Sequence, residues 1–154
     1  LNTGAHLAQS EVADYDPVLE PAARRRLPMV CANPDLEVIR GGLREICAGM
    51  LALRYEELGG TVRYHGKPHE SVYRRVLPEL GIADPGRVLA VGDSLRTDIA
   101  GAHRAGIQAL LVTGGIHAEE LGIAAGGHPD PAQLAKICAR AGERPDMAAP
   151  AFVW

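Results

Sequence analysis

The chain has 154 residues, of which 47% are hydrophobic and 23% charged, with a formal net charge of −3. That is enough for one domain or somewhat more around a packed core, and the slight acidity argues against nucleic acid or an anionic membrane as partner. The 3 cysteines lack CxxC spacing, which speaks against a disulfide framework or a zinc site and for reduced thiols in a cytoplasmic protein. No apolar run is long enough to span a bilayer, and the reading at the start is not that of a signal peptide.

In chain order, "DPVLEPAARRRLP" predicts a helix from Asp16, with Asp16 as its cap, Pro17 in its first turn and Pro28 beyond its end. "MVCAN" predicts a short buried strand stopped by Asn33-Pro34, and "EVIRGG" a second strand. "EICAGMLALRYEELGG" has apolar residues at helical spacing and a Gly59-Gly60 stop. "TVRYHG" reads as a strand, Gly66 to Pro68 as a turn, and "HESVYRRVLPELG" as a helix whose last turn Pro78 distorts.

"RVLAVGD" is then an apolar strand, "LRTDIAGAHRAG" a helix and "IQALLVTGG" a strand. A short helix near "AEELG", a helix "DPAQLAKICARAG" capped by Asp130, and an Ala/Pro-rich tail complete the order. From Lys67 onward, helices alternate with strands that are continuous apolar runs. That pattern predicts a doubly wound parallel α/β sheet covered on both faces. Composition shifts between Gly60 and Gly66, so the domains are read as residues 1–62 and 63–154.

The stretch "VGDSLRTD" offers two chemistries. Ser94 could be the nucleophile of a GDSL-type serine esterase, or Asp93 and Asp98 could bind a metal while Ser94 caps the helix. The esterase needs a His base oriented by an acid, and no D-x-x-H occurs in the chain. Asp93 falls where an apolar strand ends, the place where open α/β sheets gather active groups, and Gly92 before it lets the backbone turn. A carboxylate there suits Mg²⁺, which takes one or two carboxylates with water and substrate phosphate. Asp98 lies in the first turn of the next helix, where the helix dipole also favours an acid.

Lys67 precedes a helix whose N-terminal amides attract anions, so its ammonium can join them at a phosphate. Asn33 and Asp35 either face a substrate or simply form an Asn-Pro-Asp turn. His65 can line the cleft; His69, His103, His117 and His128 lack metal-binding spacing and receive no role. Gly114-Gly115 is read as a flexible loop on the leaving-group side.

Together, "GKPHESVYRRVL", "VGDSLRTDIAGAHRAGI", "LLVTGG" and "MVCANPD" resemble subfamily IIA of the haloacid dehalogenase (HAD) superfamily, the NagD-like phosphatases. The resemblance implies a HAD-like Rossmannoid core, incomplete here, with residues 63–154 as its later part and 1–62 as the remainder of an α/β cap. It implies phosphomonoester hydrolysis through an aspartyl-phosphate, Mg²⁺ on Asp93 and Asp98, Lys67 offsetting charge, and Asn33 and Asp35 near a small phosphorylated metabolite.

The family's first motif, D-x-D followed by Gly, is not matched. "ADYDPV" has the spacing at Asp14 and Asp16 but no strand before it and no Gly after it. The second motif is not matched either. The nucleophile is therefore expected in an N-terminal half absent from this chain, which would also be a partner covering the edge of "VLAV". Alone, the chain is expected to be inactive. A non-catalytic HAD-like binding protein is the third reading, and self-association stays open.

Overall fold

A computed structural model describes residues 1–5, 10–40, 43–124 and 127–153. It divides into two compact units, Leu1–Lys67 and Pro68–Trp154.

In the first unit, a 3₁₀ turn, Val12–Tyr15, leads into helix α1, Asp16–Arg24. Strand β1, Met29–Cys31, runs parallel to β4, Val62–Tyr64. Between them lie an antiparallel hairpin, β2 Glu37–Arg40 with β3 Leu43–Ile46, and helix α2, Ala48–Glu57. Asn2 forms a parallel bridge with Cys31. Tyr15, Leu19, Ala23, Leu51 and Tyr55 make one buried cluster, and Cys31, Ala48 and Ala52 another. Buried Tyr55 donates its hydroxyl to the Leu27 carbonyl at 2.6 Å, which satisfies the one polar atom it takes into the core.

Two expectations for this unit need correction. Asp16 does not cap α1: Tyr15 is the cap, and both Asp16 oxygens accept from Arg54 of α2, at 2.9 and 2.8 Å. The forked guanidinium offers a carboxylate two parallel bonds, which a cap position cannot match. The helix expected from Glu45 begins at Ala48, because Leu43–Ile46 pairs with β2. Gly41 and Gly42, the end of the predicted "EVIRGG" strand, lie outside the described residues.

The second unit holds helix α3, Ser71–Glu79, then β5, Leu89–Gly92, a wide helical turn, Leu95–Ile99, and α4, Ala100–Arg104. Strand β6, Gln108–Val112, helix α5, Pro131–Ala141, and strand β7, Met147–Ala149, follow. The sheet order is β5-β6-β7, all parallel. Leu95, Ile99, Ala102, Ile107, Ala109, Leu111, Leu121, Ile137 and Cys138 form its core. Asp130 caps α5 as expected, its side chain accepting from the Ala132 N–H. The "AEELG" segment forms turns rather than a helix, and the Ala/Pro-rich tail contributes a third strand. Strand β5 is an edge strand, with Leu89 and Val91 43% and 37% exposed.

Candidate active site

The parallel register sets Gly92 opposite Leu111, so β5 and β6 deliver their carboxyl ends to the same edge of the sheet. Asp93 is the first residue past β5. Ser94 then caps the wide turn, its Oγ accepting the Thr97 N–H at 3.3 Å. The Ser94 carbonyl accepts from both Asp98 (2.9 Å) and Ile99 (3.1 Å), so one residue too many is wound into this turn. Such π-type widenings recur at functional sites.

The widening turns Asp98 back toward the strand end. Its Oδ2 accepts the N–H groups of Asp93 and Ser94, both at 3.1 Å, and the residue is only 9% exposed. Gly92 makes this approach feasible: a Cβ there would lie 2.2 Å from the Asp98 Cγ. Asp98 is therefore the anion around which the Asp93–Ser94 backbone is wrapped. Its two bonds are charge-assisted, about twice as strong as neutral ones.

Asp93 is held from the other side. Its Oδ2 accepts the Ile116 N–H at 3.0 Å, and a Cβ on Gly115 would fall 2.2 Å from the same oxygen. The Gly114-Gly115 loop thus serves the carboxylate and is fitted to it. Next on the loop, His117 Nε2 accepts the Leu95 N–H at 3.3 Å, which puts the ring proton of the neutral tautomer on Nδ1, 3.6 Å from Glu120 Oε2. Glu120 also pairs with Arg140, which chiefly holds its carboxyl below the usual range. Neither Ile116 nor His117 is assigned a role by sequence reasoning: a backbone amide has no letter of its own, and a single His carries no spacing.

The donor set fits a hard cation. Mg²⁺ asks for one or two carboxylates and fills its shell with water and substrate oxygens. Asp93 commits Oδ2 to an amide, and its other oxygen is the atom that can reach an ion. Asp98 gives Oδ2 to two amides and stands behind Asp93. Among the described residues, no group of three or more His, Cys, Asp or Glu side chains is arranged to hold a metal.

The remaining candidates lie in the first unit. Lys67 is its last residue, exposed, and follows Gly66 at φ 96°. Asn33 Oδ1 accepts the Asp35 N–H at 3.3 Å, and the Asp35 carbonyl accepts from Gly49 at 2.9 Å, so Asn33-Pro34-Asp35 forms a turn seated on the start of α2. Asp14 accepts the Glu11 N–H at 2.9 Å and serves as a turn cap. No His donates to or accepts from Ser94 among the described residues, and its hydroxyl is engaged in capping.

The HAD-hydrolase-like family model matches residues 64–137. A hydrolase of the haloacid dehalogenase-like family from Brucella suis is 36% identical, covering 94% of this chain and 51% of its own, with a TM-score of 0.71. The chain belongs to the haloacid dehalogenase-like family. The HAD-like fold extends to the p-nitrophenyl phosphatase of Archaeoglobus fulgidus, 23% identical over 94% of this chain and 51% of that one, with a TM-score of 0.65. A glycerol phosphate phosphatase from Mycobacterium tuberculosis, solved in complex with magnesium, is 25% identical over 71% of this chain and 32% of its own, with a TM-score of 0.55. The HAD-like chain thus spans about half the length of the first two structures. No curated protein matches it.

Proposed function

We propose that this chain carries the metal-binding part of a Mg²⁺-dependent phosphatase acting on a small phosphorylated metabolite in the cytoplasm. One observation carries the reading: the Asp93 carboxylate, at the carboxyl end of β5, is clamped between the Ile116 amide and Gly115 while Asp98 gathers the amides behind it. That much preorganisation around one carboxylate is what a site for a hard cation needs. The magnesium-bound phosphatase among the similar structures supports the same ion.

In this reading Asp93 holds the ion, and Asp98 fixes the Asp93 backbone. Bound Mg²⁺ neutralises charge on the phosphoryl oxygens. Lys67 offsets further negative charge, and Asn33 and Asp35 belong to the substrate-facing part of the cap. Asp93 and Asp98 have oxygens given to amides and do not attack phosphorus. The attacking carboxylate comes from residues outside this chain, which alone does not turn over. That carboxylate forms the new P–O bond as the ester P–O bond breaks, and a second acid outside this chain protonates the leaving alcohol. Water, giving its proton to that acid, then attacks phosphorus and breaks the bond to the carboxylate, releasing phosphate.

Titrating Mg²⁺ into the chain tests the reading, with the backbone amide signals of 92–98 and 114–117 as readout. Saturable shifts confined to these residues, lost in D93N, are expected. Amides that ignore Mg²⁺ would overturn it. In the protein together with its nucleophile-bearing half, phosphate release from p-nitrophenyl phosphate should require Mg²⁺ and vanish in D93N.

A further inference from the structure

We propose that the segment Asp146–Pro150 is a strap that positions the Asp93 carboxylate through the 113–116 loop, with Thr113 and His103 as positioning residues; the proposal rests on Asp93 being the metal ligand. Strand β7 pairs with β6 through Leu110–Met147, Leu111–Ala148 and Val112–Ala149. Beyond these pairs, strap and loop stay bonded. The Ala149 carbonyl accepts both the Thr113 N–H (2.9 Å) and the Thr113 Oγ1 hydroxyl (3.3 Å), and the Pro150 carbonyl accepts the Gly114 N–H at 3.1 Å. Thr113 is fully buried, at 0% exposure.

The next two residues transmit that contact. A Cβ on Gly114 would lie 2.5 Å from the Pro150 oxygen, and one on Gly115 would lie 2.2 Å from Asp93 Oδ2. The loop backbone is therefore pressed between strap and carboxylate with no side chain to absorb a shift. Ile116 completes the path with its N–H on Asp93.

The start of the strap is clasped as well. Asp146 Oδ2 accepts the Ala109 N–H at 2.8 Å and lies 3.4 Å from His103 Nε2, while His103 Nδ1 lies 3.0 Å from Glu143 Oε2. The Ala109 amide, more than His103, keeps the Asp146 carboxyl below its usual range. The strap itself adds little to the core: Met147 and Ala148 are exposed. Its principal bonds beyond the sheet go to the loop that holds Asp93, which marks it as a positioning element rather than a core strand.

Partners that orient a metal ligand typically alter metal affinity about 10-fold or more when removed. T113V keeps the shape of Thr113 but deletes its hydroxyl bond to Ala149, and T113S restores it. In metal-free full chain, T113V should move the Ile116 amide proton upfield and speed its hydrogen exchange. With Mg²⁺ alone as probe, affinity should fall about 10-fold, and T113S should recover both readouts. An Ile116 amide unchanged in metal-free T113V overturns the strap, whatever the metal does. A wild-type chain that ignores Mg²⁺ overturns the function reading instead, while the metal-free comparison still decides the strap. If T113V does not fold, H103N reads the same link from its far end. It must speed exchange at Gly114 and Ile116, and no change at either overturns the proposal.

Discussion

Asp98 accepts two backbone N–H groups with a single oxygen in a nearly buried position. Removing that oxygen leaves two donors without a partner, at about 1–3 kcal/mol each. D98A should lower the unfolding free energy by on the order of 2–4 kcal/mol in urea titrations, and D98N, which keeps an acceptor, should recover more than half. An unchanged midpoint in D98A would contradict the assignment of Asp98 as the organiser of this turn. The letters of this residue pair were legible in the sequence, since an apolar strand ending in Gly-Asp places a carboxylate at the carboxyl end of the strand. The division of labour between the two acids was not. It depends on a turn one residue wider than an α-helix, and "LRTDIAGA" gives no sign of that.

Between elements, α1 and α2 are joined by the Arg54 fork on Asp16. The hydrogen bond from Arg54, ahead of their charge attraction, holds the Asp16 carboxyl below its usual range. A depressed folded value contributes stability above the ordinary carboxylate range, about 4, which is lost as pH falls through the lower folded value. Thermal melts across that acid range should therefore drop more steeply for wild type than for D16N, and parallel curves would rule the fork out as a stabilising contact. The same elements mark where sequence patterning fails. "EICAGMLAL" carries helical spacing from Glu45 onward, yet pairing with β2 claims Glu45 and Ile46. Met147–Ala149 has no β-branched residue and little strand propensity. It is a strand because β6 offers it a ladder, a long-range fact that no local window contains.

For the whole molecule, the two units divide the predicted residues: Asn33, Asp35 and Lys67 in the first, Asp93 and Asp98 in the second. Binding to the folded state alone stabilises by mass action, so Mg²⁺ at about 100 times its Kd should add about 2.7 kcal/mol. Hydrogen exchange should register this most strongly in β5, the wide turn and 113–116, and EDTA should reverse it. Slowing spread evenly over both units would point to non-specific ion effects. The alternation of helices and apolar strands after Lys67 was enough to foresee the parallel sheet of this unit.

Gly92 and Gly115 face the two carboxylates, each with a hypothetical methyl carbon 2.2 Å from a carboxylate atom. Both positions are thus closed to mutational drift, because even alanine would dislodge an acid before meeting anything else. Lineages of this chain can diversify only where two hydrogen atoms, at 92 and 115, stay as they are.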